Sequence, residues 1–187
     1  MTVAPPPAGA DSWELNAPHM LVGRANMRRI GRWKFPVDEL LQDEEVVARM
    51  GRMGWFRIYL GHGQRIELPD GVRWTVRSIG DRGTIRPLIV DSARRKIAIA
   101  GSSYGAYGIN GKDYGCVLYP ADKPRLGRAN RWILRQHEDE LAIINRYPLS
   151  VEALLPVHLG AVLLSFVLVR YGLPEDAAPR VPTFHWN

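Results

Sequence analysis

Between Val46 and Arg146 apolar and polar residues alternate with a period near two, in short runs broken by turn signals. The runs predict strands at 46–50, 55–61, 64–68, 72–78, 86–91, 96–101, 104–109, 114–119, 131–136 and 140–146, each about the usual strand length. In 72–78, Val72, Trp74 and Val76 share one face while Arg73, Thr75 and Arg77 share the other. In 96–101, Ile97 and Ile99 point the same way. Asp70-Gly71 and Asn110-Gly111 suit tight hairpins because both dipeptides tolerate positive φ. "GHG" at 61–63 and "GDRG" at 80–83 do so less tightly. Regular short strands of this kind predict an all-β meander, closed as a barrel or packed as a sandwich. The longest connection inside it is "PADKPRLGRANR", 120–131, with two prolines, a glycine and four cationic side chains.

After Tyr147-Pro148 the period changes. Ala153 to Val169 is seventeen residues without a formal charge. Ser150 suits an N-cap, Glu152 suits the first turn of a helix, and Arg170 suits the last. Gly172 and Pro174 close the segment. The expectation is a helix over about 151–171, with Pro156 tolerated near its start. A helix apolar on every side belongs in a membrane or in the middle of a core. Seventeen residues span roughly 26 Å at the helical rise, against about 30 Å for a bilayer core. Pro156, His158 and Ser165 are costly in lipid, and the aromatic-and-lysine belt of an anchor is thin. The many strands favour the core, because a large barrel must be filled. Gly160, Ala161 and Ser165 would let barrel walls come close to the helix.

Three segments carry a resemblance. "PLSVEALLPVHLGAVLLSF", 148–166, is similar to the "PLS" lead-in to an apolar helix in the tubby-like superfamily. "LIVDSARRKIAIA", 88–100, is similar to a strand–turn–strand unit in which an aspartate opens the hairpin, and "RWILRQHEDELAIINR", 131–146, resembles a second copy. In this order the motifs cover roughly residues 45 to 171. The superfamily includes tubby proteins, phospholipid scramblases and the plant LURP-one-related proteins. The resemblance implies a closed β-barrel wrapped around a hydrophobic helix near the C-terminus. The chain departs from the family in its predicted strand count, ten against twelve. Ala93 and Arg94 also stand where a turn glycine is common. Neither the calcium segment nor the cysteine-rich stretch of scramblases has a match, so scramblase activity is not carried over.

Composition adds an arginine excess. The 187 residues have a formal net charge of +6, and Lys34, Lys96, Lys112 and Lys123 are the lysines. Such a balance suits anionic partners, since arginine forks match phosphate oxygens. The bland alternative is a solvated surface. Three groups stand out: Arg94, Arg95 and Lys96 at a hairpin; Lys123, Arg125, Arg128 and Arg131 in the long connection; and Arg24, Arg28, Arg29, Arg32 and Lys34 near Trp33 and Phe35. The first two groups are the candidate headgroup-binding residues.

No catalytic constellation survives. "GAYGINGKD", 105–113, has Ala106 and Asp113 where a phosphate-binding loop needs glycine and a hydroxyl. His19, His62, His137, His158 and His185 have no metal-ligand spacing. His158 reads as a satisfied core histidine, and the lone Cys116 as a small core residue that permits no intramolecular disulfide. A reducing compartment is the simpler home. The N-terminus lacks the basic start and apolar core of a secretory signal.

The expectation is a mainly β protein: a closed antiparallel β-barrel of about ten to twelve strands around a buried hydrophobic C-terminal helix. Residues 1–18 form a flexible lead-in, 19–173 a single domain and 174–187 a tail. The expected role is a non-enzymatic binding module, without cofactor or metal, for anionic phospholipid at the inner face of a membrane. A protein partner fits as well; nucleic acid does not. Two alternatives stay open: a membrane anchor through 153–169 with a β domain outside, and an enzyme or small-ligand binder using a cavity at the barrel mouth.

Overall fold

The computed structural model describes residues 19–31, 37–51, 63–79, 86–103, 106–121 and 129–172. Twelve strands follow in chain order: β1 (Met20–Ile30), β2 (Val37–Gln42), β3 (Glu45–Gly51), β4 (Gln64–Glu67), β5 (Arg73–Ile79), β6 (Arg86–Asp91), β7 (Lys96–Ser103), β8 (Ala106–Asn110), β9 (Gly115–Pro120), β10 (Arg131–Gln136), β11 (Asp139–Asn145) and β12 (Ser150–His158). Each pairs antiparallel with its neighbour in the chain, and β1 seals against β12 to close a barrel. One helix, α1 (Leu159–Tyr171), follows β12. The expected fold class, a mainly β closed antiparallel barrel with a hydrophobic C-terminal helix, is the fold observed.

Nine predicted strands lie within two residues of observed ones. The tenth, 55–61, falls outside the described residues, as do the lead-in 1–18 and the tail 174–187. The unforeseen strands are β1, β2 and β12. In β1 Leu21, Ala25, Met27 and Arg29 alternate inward against arginines and an asparagine outward, so the strand reads as a basic run unless its period is followed.

The predicted helix over 151–171 needs correction. Its first eight residues are strand. Val151 and Ala153 face the core, and Val151 lies opposite Ala25 on one side and Ile144 on the other. Ser150 opens a strand and caps no helix. Glu152 points outward and takes the Arg24 guanidinium at 3.0 Å across β1; it does not meet a helix dipole. The register of β1 against β12 slips between Leu21 and Gly23, which leaves residues 154–156 unpaired. Pro156 therefore sits where a missing N–H costs no ladder bond. Leu154 and Leu155 are exposed at this bulge, so they belong to the outside of the barrel.

The helix begins at His158, whose Nδ1 accepts the Gly160 N–H at 3.0 Å. Its thirteen residues rise about 20 Å, and Leu159 through Val169 are all buried. It packs against β6, β7, β8 and β12 inside the barrel. A Cβ on Gly160 would sit 2.9 Å from Ile97 Cγ2, so this position requires glycine for β7 to come this close. Ser165 satisfies its hydroxyl on Ala161 O at 2.8 Å. Gly172 ends the helix at φ 67, donating to Leu168 O. Among the described residues no helix is long and apolar enough to cross a membrane.

Part of the arginine excess is consumed on the outer wall. Arg28, Glu39, Arg49, Glu67 and Arg73 lie directly opposite one another in successive strands β1 to β5. Alternating signs across a sheet are stabilising. Glu39 accepts from Arg28 at 3.0 Å and Arg49 at 2.9 Å. The Arg28 bond holds its carboxyl below the usual range against the cost of burial, and Arg49 helps.

Candidate functional site

The barrel has two unlike ends. At one, β1 begins, β12 ends and α1 starts; the hairpins there are short. At the other, α1 emerges between the last residues of β1 and β11 and the first residues of β2 and β12.

At the helix-exit end the inward period of the strands places polar residues in the mouth. Arg29 follows Ala25 and Met27, Asp38 precedes Leu40, and Arg146 follows Ala142 and Ile144. Arg170 arrives on the last turn of α1. These four, with Met27, Tyr147 and Leu149, line a cavity of about 340 Å³. Asp38 is 2% exposed. It accepts Arg29 Nε at 2.9 Å and Arg170 Nη1 at 3.4 Å. The hydrogen bond to Asp38 drives the Arg29 guanidinium still further toward its charged form.

Arg146 is the third guanidinium lining the cavity. Its plane lies over the Tyr147 ring, 4.9 Å from the centroid. Its Nε is buried and has no hydrogen-bond partner among the described residues. A buried donor without an acceptor is costly, and an anion in the cavity would supply one. The end of α1 also favours cations, because the helix carbonyls point toward it. Beneath the mouth, Trp132 stacks on Tyr107 at 5.6 Å and donates to Ala129 O at 3.0 Å.

The tight-turn end is built differently. Asp91 opens the β6–β7 hairpin as the pattern predicts: it accepts the Arg95 N–H at 2.8 Å and Arg95 Nε at 2.6 Å. Burial would raise its carboxyl, but these Arg95 bonds hold it below the ordinary range. Arg94 supplies the left-handed residue of the turn at φ 63, where a glycine would be easier. Gly71 takes the positive φ expected of Asp70-Gly71, whereas Asn110-Gly111 adopts none; that hairpin turns through residues 111–114, with Gly111 N donating to Tyr114 O. Gly111 is needed for another reason, since a Cβ there would enter the Tyr114 ring. Residues 106–113 thus belong to a hairpin and not to a phosphate loop.

The predicted headgroup residues that the structure describes fall at both ends of the barrel. Arg94, Arg95 and Lys96 stand at the tight-turn end, while Arg131 opens β10 at the helix-exit end. Lys123, Arg125 and Arg128 lie outside the described residues. Within the N-terminal basic run, Arg24, Arg28 and Arg29 are each spent on a carboxylate: Glu152, Glu39 and Asp38. Cys116 is buried, and burial pushes its thiol up to about 11, which makes it a poor nucleophile. Among the described residues no group of histidine, cysteine, aspartate and glutamate is placed to hold a metal ion.

Sequence reasoning missed Arg146 and placed Arg170 correctly in the last turn of the helix but without its partner Asp38. The available signal was arginine at an inward-facing strand end, where a hydrophobic residue is the norm. No family model, no curated protein and no solved structure matches this chain.

Proposed function

We propose that the helix-exit mouth binds an anionic headgroup, and that the protein is a non-enzymatic module which associates with anionic phospholipid at a membrane surface. The observation that carries the reading is Arg146: among the described residues its buried Nε has no hydrogen-bond partner, in a cavity where Asp38, the one lining carboxylate among those residues, already accepts from Arg29 and Arg170. Arginine's fork suits phosphate oxygens. A lipid surface is favoured over a free anion by what surrounds the mouth. Tyr147 is 71% exposed, and Ile30 and Ile79, the last residues of β1 and β5, are also exposed on this rim. Aromatic and aliphatic side chains beside cations are what an anionic interface accepts. Membership of the tubby-like superfamily is part of the proposal. The order of the three motifs supports it, as does the agreement between this twelve-strand barrel with its internal helix and the architecture the resemblance implies.

Co-sedimentation with neutral and anionic vesicles tests the reading. Wild type is expected to pellet with anionic vesicles at low salt and to be released at moderate salt. Each cation near such a surface contributes about 1 kcal/mol, so Arg146→Gln should weaken binding roughly fivefold and Tyr147→Ser should weaken it further. No pelleting with anionic vesicles at low salt would sink the lipid reading. Undiminished binding by the Arg146→Gln, Tyr147→Ser double variant would remove the mouth and shift the role to Lys123, Arg125, Arg128 and Arg131.

A further inference from the structure

The second cleft, about 290 Å³, lies at the tight-turn end beneath the hairpins β6–β7 and β8–β9. Its floor is set by the helix cap. Because Nδ1 of His158 accepts from Gly160, the neutral ring carries its proton on Nε2, the opposite edge. That Nε2–H has no hydrogen-bond partner among the described residues, and His158 lines the cleft. The ring is fixed in place: Tyr114 stacks on it at 4.9 Å and Trp74 lies parallel to it at 6.0 Å. Tyr114 is anchored in turn by its hydroxyl, which donates to Ile97 O at 3.0 Å.

The rim supplies charge. Arg95 and Asp91 neutralise each other. Lys96 and Lys112, one from each hairpin, line the same cleft and have no carboxylate or hydrogen-bond partner among the described residues; Asp113 is the remaining acidic group there. Lys96 and Lys112, one from each hairpin, and the fixed imidazole of His158 thus line one small cleft, and every one of them carries a donor.

We propose that this cleft is a separate binding site for a small oxyanion, a carboxylate or phosphate group, held between Lys96 and Lys112 with the His158 Nε2–H as its third donor. The site shares no residue with the helix-exit mouth and does not depend on the membrane reading.

Imidazole ¹⁵N resonances of the full chain, followed while sodium acetate or inorganic phosphate is added, test the proposal. The expected result is a saturable shift of His158 Nε2 with at least one of the two anions, and a pKa of His158 that rises as the anion binds. Response to both points to a carboxylate-tolerant site, and response to phosphate alone to a phosphate ester. Lys96→Gln with Lys112→Gln should weaken apparent affinity at least about tenfold, since hydrogen bonds to charged groups are among the stronger ones. Arg146→Gln at the far end should leave it unchanged, which separates this site from the mouth. The proposal is overturned if neither anion gives a saturable shift, if sodium chloride at matched ionic strength reproduces it, or if the double lysine variant retains it.

Discussion

The two ends of the barrel solve opposite problems with the same few residue types. At the tight-turn end every connection is short, and the polar groups are aimed at the backbone. Asp91 holds its own hairpin, His158 caps α1, and Tyr114 ties the β8–β9 turn to β7. At the helix-exit end the polar groups are aimed at one another and at the cavity. Asp38 is shared by Arg29 and Arg170, and Arg146 is left over. The first arrangement satisfies the backbone and leaves side-chain donors on the rim of its cleft; the second leaves a buried guanidinium nitrogen without an acceptor among the described residues. α1 joins the ends, so a change along it should affect both, whereas a change at either end should stay local.

The largest effect is expected on the shared axis. Leu163 is fully buried midway along α1. Leu163→Asp places a carboxylate in the barrel with no partner, at a cost of several kcal/mol or more, comparable with the whole stability of a domain. The variant should yield no soluble, cooperatively melting protein. Ala161→Trp should fail in the same way, because the wall has no room for the indole. If either melted cooperatively near wild type, the two ends would not be connected through a packed core.

The next effect belongs to the tight-turn end and is pH-dependent. Burial first, then the neighbouring His19, lowers His158 to about 4, with Asp113 opposing. The unfolded chain takes its proton near the ordinary value of 6.5. The stability tied to the neutral ring is therefore complete above about pH 6.5 and is lost as pH falls through about 4, at most about 3 kcal/mol in all. Protonation also converts the Nδ1 acceptor that caps α1 into a donor. Denaturant melts between pH 7 and 4.5 should show this slope, and His158→Asn, which keeps a capping acceptor, should flatten it. An equal slope in the variant would show that the acid sensitivity lies elsewhere.

Asp38→Ala probes the other end. It removes the acceptor that Arg29 and Arg170 share, the one carboxylate lining the mouth among the described residues. Both partners of Asp38 reach water, so the loss should be nearer 2 kcal/mol than the larger cost of orphaning a fully buried charge. Chemical denaturation reads it. The comparison of ends is sharpened if added phosphate restores part of that stability, since a bound anion would replace the missing carboxylate.

The tight-turn end was largely legible in the residue order and the mouth was not. Alternation and turn dipeptides act over a few residues, so nine strands could be read directly, and the resemblance supplied the Asp91 hairpin. The seal between β1 and β12 could not. Arg24, Glu152 and the opposed Ala25 and Val151 are more than a hundred positions apart, and nothing local marks them as partners. The same distance hid the start of α1. Residues 153–158 are as apolar as a helix because one side faces the core and the bulge at 154–156 turns two leucines outward. Charge runs misled for a related reason. Adjacent cations on a strand point to opposite faces, so Arg28 joined the outer ladder while Arg29 entered the mouth. The cluster that matters was assembled from β1, the residue that follows β11, and α1, one arginine each.

The smallest expected change in stability is also the one that best separates the two ends. Arg146 contributes a cation–π contact with Tyr147, worth about 0.5–1 kcal/mol at an exposed site. Against this stand the cost of its unpartnered buried Nε and its repulsion by Arg29 and Arg170. These terms are similar in size and opposite in sign, so Arg146→Gln should change the unfolding free energy by less than about 0.5 kcal/mol. The direction is informative. A residue kept only to hold the fold should lose stability when replaced, and a residue kept for a ligand should not. Urea melts of Arg146→Gln and, as the counterpart at the tight-turn end, Arg95→Gln make the contrast: Arg95 is held by Asp91 through its side chain, so its removal should cost more. If Arg146→Gln instead cost as much as Asp38→Ala, the mouth would be a structural ion cluster like the outer ladder, and the reason to expect an anion there would be gone.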